Sequence, residues 1–121
     1  MKLLSFFTKK IDYSKYEEMG FKESQLDEII TGLKQGLDVD QFADKRFNSE
    51  QMCELREGLK HNVDISIYKD TRFNQYQMYW IRKGLMEGID VGSYADCDLA
   101  PSEMYKIMSS ILKERDEKTV K

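Results

Sequence analysis

Residues 63–88 read VDISIYKDTRFNQYQMYWIRKGLMEG, and the chain repeats the pattern of this stretch four times. The copies begin at residues 11, 37, 63 and 89, so each step is 26 residues without a gap. Every copy carries an aromatic, an acidic and a closing apolar residue at fixed offsets: Tyr16, Phe42, Tyr68 and Tyr94, then Glu18, Asp44, Asp70 and Asp96, then Phe21, Phe47, Phe73 and Leu99. Such self-similarity is typical of short-repeat arrays, in which each unit buries its apolar face by stacking on its neighbours. Because arrays of this kind present surfaces, the pattern favours a binding function.

The composition is that of one soluble domain. At 121 residues the chain is long enough for a single core, and its 40% hydrophobic and 34% charged residues are ordinary for a globular protein. The formal net charge of -3 provides no basic field for nucleic acid or anionic lipid. No stretch approaches membrane-spanning length. Cys53 and Cys97 occupy unlike places in the repeat, which predicts two free thiols in a reducing cytoplasm.

Each copy contains one long helix with well-marked ends. In the third copy, Met78, Ile81 and Leu85 form an apolar stripe with helical spacing, and the other copies keep this spacing. The end signals are the capping boxes of Asn48 with Gln51 and Asn74 with Gln77, Pro101 at a first helical position, and Gly36, Asn62 and Gly88 just after the last turns. The pattern predicts long helices at residues 24–35, 49–61, 75–87 and 102–113. Asp38, Asp64 and Asp90 then begin very short helices.

These elements predict an all-α fold, a single-domain stack of four short helical repeats with an N-terminal capping helix. The predicted segments are the cap at residues 1–10, the repeats at 11–36, 37–62, 63–88 and 89–113, and a frayed tail at 114–121. Gly32, Gly58 and Gly84 recur inside the long helices, where a glycine costs about 1 kcal/mol relative to alanine. Their shared place predicts close approach of a neighbouring backbone.

The sequence offers little that could support catalysis. His61 is the only histidine and falls on a solvated last turn, and no nucleophile has a histidine and an acid at readable spacing. Phosphate-binding, dinucleotide-binding and zinc motifs are missing from the sequence. Asp90, Asp96 and Asp98 do not have the spacing of a calcium-binding EF-hand loop. We therefore expect a protein that is not an enzyme and uses no cofactor and no metal.

Two arginines are candidate binding residues. Arg56 and Arg82 lie 26 residues apart at the edge of the apolar stripe, where the other copies hold apolar residues. Two interpretations are open. The arginines either form salt bridges to Asp70 or Asp96 at the edge of the core, or form a short basic ladder that receives carboxylates or phosphates.

Three aromatic residues are the second candidate. Tyr76, Tyr79 and Trp80 occur in one copy only, and two of them, Tyr76 and Trp80, are expected opposite the apolar stripe of their helix. They either pack against an adjacent helix or a second copy, or form a partner-binding hot spot, for which Trp and Tyr are enriched. If they form a hot spot, replacing Trp80 with alanine should abolish binding and change the stability little.

The third copy resembles a short helical repeat found in proteins of Firmicutes and of their phages and mobile elements. The matching stretch is QMYWIRKGLMEGIDVGSYAD, residues 77–96. The second copy departs from it at Asn62 and Lys69, and the first and fourth copies depart at the arginine. The resemblance implies a helical array and a mobile-element setting, and no activity.

The sequence as a whole favours a non-enzymatic protein-binding module in the bacterial cytoplasm. An inhibitor of a host defence complex, encoded by a phage or mobile element, is one concrete version. The expected partner is another protein or a second copy of the chain, with no membrane. The alternative is a nucleic-acid-binding accessory protein, in which Arg56 and Arg82 meet phosphates while Tyr79 and Trp80 stack on bases.

Overall fold

A computed structural model describes residues 10–119, and all regular structure in that range is helical. The α-helices are α1 (Ser14–Glu18), α2 (Glu23–Lys34), α3 (Ser49–Lys60), α4 (Gln75–Met86) and α5 (Pro101–Thr119). Short 3-10 helices, Val39–Gln41 and Ile65–Ile67, follow α2 and α3. The four long helices α2 to α5 begin at residues 23, 49, 75 and 101, at the period of the sequence pattern. Each of them packs against the next one along the chain.

The predicted long helices agree with this structure except at the end of the last one. Helix α5 continues to Thr119, beyond the predicted helix end at residue 113 and into the segment 114–121. The extension is held to α4 because Arg115 donates a hydrogen bond of 2.8 Å to the backbone oxygen of Glu87. The predicted N-terminal capping helix at residues 1–10 lies outside the described residues, apart from Lys10.

The predicted end signals of the long helices are confirmed, but no 3-10 helix follows Asp90 within the described residues, so the predicted short helix there is wrong. The Asn48 side chain accepts from the Gln51 N–H at 2.8 Å, and Asn74 does the same with Gln77 at 2.9 Å. Helix α5 begins at Pro101, where a missing N–H costs nothing. Gly36, Asn62 and Gly88 follow α2, α3 and α4 with φ of 73°, 58° and 74°. This left-handed conformation ends each helix, as expected for Gly or Asn in that position.

A buried glutamine joins the beginning of each helix to the beginning of the next. The Gln51 Oε1 accepts from the Asn48 N–H at 2.9 Å, while Nε2 donates to the backbone oxygens of Thr71 and Phe73 at 3.3 and 2.7 Å. Gln25 donates to Lys45 and Phe47, and Gln77 donates to Cys97 and Leu99, at the same offsets. The sequence analysis recognised Gln51 and Gln77 only as caps of their own helices. Each amide also fixes the residue just before the N-cap of the following helix.

Helix α5, the last of the four long helices, departs from this pattern. Glu103 holds the glutamine position, and its Oε1 accepts from the Ala100 N–H at 3.0 Å. A carboxylate cannot donate a hydrogen bond to a carbonyl. Glu103 can therefore cap its own helix, and it cannot make the link that the glutamines make.

The recurrent helix glycines make room for side chains rather than for a backbone, which corrects the predicted reason. A Cβ on Gly58 would lie 2.6 Å from Ile65 Cγ2 and would collide with the Tyr68 hydroxyl. That hydroxyl donates to the backbone oxygen of Glu54 at 2.7 Å. Gly84 and Tyr94 repeat the arrangement, with Trp80 as the acceptor at 2.9 Å. The glycines thus let the short segment after each helix pack onto the helix surface.

We predict that Gln51→Glu strongly destabilises the protein. The new carboxylate can still accept the N-cap hydrogen bond, but it faces two backbone oxygens that lose their donor. An unsatisfied buried acceptor costs about 1–3 kcal/mol, so we expect the free energy of unfolding in urea to fall by about 3 kcal/mol. Glu103→Gln is the matched control, because no following helix within the described residues offers carbonyl oxygens to the new amide. We expect it to change the free energy of unfolding by less than about 0.5 kcal/mol. Equal effects of the two substitutions would contradict the linking role.

We also predict that Gly58→Ala destabilises the protein although alanine is the better helix former. The added methyl group forces Tyr68 outward, and overpacking of this kind costs about 1–3 kcal/mol. A double-mutant cycle with Tyr68→Phe should show that removal of the hydroxyl recovers part of the loss. Gly32→Ala is the comparison within the chain. Its Cβ would lie 2.7 Å from Val39 Cγ1 and 3.0 Å from Phe42 Cζ, but Phe42 has no hydroxyl to collide with it, so the substitution should cost less. Stabilisation by Gly58→Ala would contradict the contact.

Candidate functional site

The two candidate arginines are buried between consecutive helices. Arg56 on α3 donates through Nε to Glu28 on α2 at 2.7 Å, and Arg82 on α4 donates to Glu54 on α3 at 2.8 Å. Their exposed fractions are 9% and 7%. The contact between two consecutive long helices is called a seam below, and the seams α2–α3 and α3–α4 each contain one of these ion pairs.

The partners of the arginines differ from the predicted Asp70 and Asp96. Arg72, in the same loop as Asp70, already pairs with that carboxylate at 2.7 Å. Hydrogen bonds from the Arg72 guanidinium and from its backbone N–H lower the pKa of Asp70 to about 2. Because Arg56 and Arg82 face the preceding helix, the glutamates of that helix take them instead.

The two ion pairs are not equivalent. Arg56 Nη1 also donates to Gln35 Oε1 at 3.2 Å and to Glu57 Oε2 at 3.1 Å. Arg82 Nη1 donates only to the sulfur of Met86, at 3.3 Å. The reason is in the sequence, because His61 and Lys83 occupy the repeat positions of Gln35 and Glu57.

The seam between α4 and α5 has an aromatic residue where the other two have a glutamate. Trp80 stands at the repeat position of Glu28 and Glu54, and Met108 stands at that of the arginines. Trp80 is half-buried, and its ring centroid lies 4.8 Å from that of Tyr79 on α4 and 4.8 Å from that of Tyr105 on α5. Trp80 packs against the hydrophobic core and against Tyr105 of α5, whereas the sequence pattern places it opposite the apolar stripe of its helix.

The candidate aromatic residues share the α4–α5 side of the molecule with two exposed residues that the sequence analysis missed. Tyr76 is 63% exposed, Tyr105 48% and Met86 38%, and they adjoin the half-buried Tyr79 and Trp80. These five residues are called the aromatic surface below. A signal for the missed pair was present, since Tyr105 stands at the repeat position of Tyr79, and Met86 at that of two lysines, Lys34 and Lys60.

The candidate residues thus divide between two places. Arg82 lies beside the aromatic surface, with its Cζ 5.3 Å from the ring centroid of Tyr79. Arg56 belongs to the seam between α2 and α3, away from the aromatic residues, and its guanidinium is occupied by three oxygen acceptors. The structure therefore brings together Tyr76, Tyr79, Trp80 and Arg82, and it leaves Arg56 apart.

The remaining chemistry of the described residues is sparse. Cys53 and Cys97 are free thiols. Asp96, Cys97 and Asp98 bring one ligand atom each to within 4.8 Å of one another, but the Asp96 carboxylate already accepts from the Asp98 N–H at 2.9 Å. None of the helices in residues 10–119 combines the length and the apolar character needed to cross a membrane.

Comparison of the chain with known protein families, with curated proteins and with solved structures finds no match.

We predict that Trp80 and Tyr76 differ in their effect on stability. Trp80→Ala should lower the free energy of unfolding by about 2 kcal/mol, less than the 3–5 kcal/mol of a fully buried aromatic, because Trp80 is only half-buried. Tyr76→Ala removes a mostly exposed ring and should change it by less than about 0.5 kcal/mol. Urea unfolding of both variants measures the difference. If Trp80→Ala changed the free energy of unfolding as little as Tyr76→Ala, the packing of Trp80 between α4 and α5 would be contradicted. Tyr76 is accordingly the cleaner probe of binding.

Proposed function

We propose that this chain is a helical-repeat protein that binds another protein through the aromatic surface on α4 and α5. The observation that carries the proposal is the exposure of Tyr76, Met86 and Tyr105 on two adjacent helices. At the matching positions, α2 and α3 hold mainly residues that favour water, namely Ser24, Glu50, Lys34, Lys60 and Asp27, together with Cys53. Because the repeat keeps the backbone similar, the change from polar to apolar residues reflects what this surface contacts.

The size of the aromatic surface supports a protein partner. Aromatic side chains present about 150–250 Å² each, so the exposed parts of these five residues amount to roughly 400 Å². Patches of this size on a soluble monomer are often functional. A standard interface takes about 800 Å² from each partner, slightly more than half of it apolar. The aromatic surface could therefore supply most of the apolar centre of one standard interface.

We further propose that the four units 11–36, 37–62, 63–88 and 89–113 act as a repeat array that displays this surface. The helix starts at a constant period and the contacts between consecutive helices support this arrangement. The binding role requires no catalysis. An inhibitor encoded by a phage or mobile element is the concrete version that the sequence resemblance suggests.

Binding of nucleic acid through an arginine ladder is the weaker proposal. Affinity for nucleic acid depends on cations that neutralise several phosphates. Arg56 and Arg82 already pair with Glu28 and Glu54, and Arg56 has two further oxygen acceptors, so the two arginines do not form a row of free cations along which phosphates could lie. The observation that favours nucleic-acid binding is the presence of Tyr79 and Trp80, whose rings could stack on bases.

The experiment compares proteins captured from a low-GC Gram-positive lysate by three baits. We expect the wild-type chain to retain a protein that the Tyr76→Ser/Tyr105→Ser variant loses. The matched control is Ile67→Ser, which removes a 42% exposed apolar side chain from another part of the chain, and it should behave as wild type. Sedimentation of the pure chain shows whether the retained protein is a second copy. Retention of the same proteins by all three baits, together with a monomeric chain, would contradict the proposal.

A further inference from the structure

The guanidinium of Arg82 has hydrogen-bond donors that no oxygen atom of the described residues accepts. Its Nε is paired with Glu54, and Nη1 reaches only the Met86 sulfur, which is a weak acceptor. Arg56, at the same repeat position, uses Nη1 for two oxygen acceptors, Gln35 and Glu57. Arg82 is 7% exposed, and no fully buried side-chain nitrogen of the described residues lacks a hydrogen-bond partner, so the unpaired donors of Arg82 reach the solvent. A buried arginine of this kind retains the capacity to bind one further anion.

The guanidinium of Arg82 lies beside two residues of the aromatic surface, Tyr79 and Met86. Its Cζ is 5.3 Å from the ring centroid of Tyr79, and its Nη1 is 3.3 Å from Met86 Sδ. Lys83 Nζ lies 5.9 Å from the same ring centroid. Two cations and an aromatic ring therefore adjoin one another beside exposed apolar side chains.

The charge of α4 agrees with this placement. Among the long helices, α4 is the one without an acidic residue, and Arg82 and Lys83 are its charged side chains. The whole chain is acidic, with a formal net charge of -3. Glu54 on α3 offsets the charge of Arg82, so Lys83 supplies the positive charge that a segment approaching α4 meets, which favours an acidic partner.

We infer that the partner of the aromatic surface is an acidic and apolar peptide segment, which places one carboxylate on Arg82 and Lys83 and an adjacent apolar side chain on Tyr79 and Met86. This inference rests on the proposed function, because it concerns the partner at the same surface. A carboxylate fits because the planar guanidinium presents paired donors in the geometry of two carboxylate oxygens. A nucleic acid fits less well, because α4 supplies a single pair of cations rather than a row along a phosphate backbone.

The test uses a displayed library of random twelve-residue peptides selected on the wild-type chain. Trp80 is the only tryptophan and lies in the surface, so its fluorescence measures the Kd of each selected peptide, synthesised without tryptophan. We expect the selected peptides to share an Asp or Glu next to a Leu or Phe. Replacing that acid by its amide should weaken binding about 10-fold or more, as expected for a charge-assisted hydrogen bond.

Variants of the chain separate the carboxylate contact from the apolar contact. Lys83→Glu should weaken the same peptides at least about 10-fold, whereas Lys60→Glu, an exposed lysine on α3, should leave the Kd unchanged. Arg82→Lys keeps the charge beside Glu54 but removes the planar donors, and we expect it to bind about 10-fold more weakly. The melting temperature of Arg82→Lys is measured in parallel, to show whether this variant remains folded. For Lys83→Glu the control is a peptide that carries Lys in place of the acid, and this peptide should recover binding.

Each contrary outcome has its own meaning. Selected peptides that need Tyr76 and Tyr105 but contain no shared acid would overturn the inference and leave the proposed function standing. Failure to select any peptide that depends on Tyr76 would overturn both. Tighter binding of oligo-dT than of any acidic peptide, lost steeply with added salt, would overturn the inference in favour of a nucleic acid.

Discussion

The arrangement of the long helices depends on one buried amide at each junction. Gln25, Gln51 and Gln77 each use the oxygen for the N-cap of their own helix and the nitrogen for two backbone oxygens before the next helix. A buried amide costs free energy unless both of its ends are hydrogen-bonded. Since a shift of either helix would leave donors or acceptors unpaired, the amide specifies both the distance and the orientation of consecutive helix N-termini.

With the helix starts held in this way, the chemistry further along each seam is free to change. Two seams contain the ion pairs of Glu28 with Arg56 and Glu54 with Arg82, and the third contains Trp80 and Met108 at the same positions. In an ion pair within a seam the two charged groups contact each other, and the pair adds little apolar area to the protein surface. The larger Trp80 extends past the seam to Tyr105, and the apolar area then continues onto the outside of α5. One change of residue type thus converts a closing contact into part of an exposed surface.

The sequence was sufficient for features that depend on near neighbours. Caps such as Asn74 with Gln77, and the left-handed Gly88, follow from residues within one turn, so helix starts and stops were predicted closely. Features that depend on which helix faces meet were missed. The partner of Arg82 lies 28 residues back, on a face of α3 that periodicity alone does not identify. The second role of Gln77 could have been suspected, because the position changes to Glu103 in the last copy, where a donor is no longer used.

The candidate site combines exposed aromatic rings with a rigid backbone, and this combination bears on how it can bind. The backbone oxygen of Trp80 accepts from the Tyr94 hydroxyl at 2.9 Å, in addition to its place in the helix. Burial raises the pKa of Tyr94 to about 12, so the hydroxyl remains a donor at every physiological pH. The helix turn that carries Tyr76, Tyr79 and Trp80 is therefore fixed before any partner arrives. Tyrosine and tryptophan lose little conformational entropy on binding because each has only two side-chain torsions. A partner would meet a preorganised surface, and most of the interaction free energy gained there would appear as affinity rather than being offset by ordering.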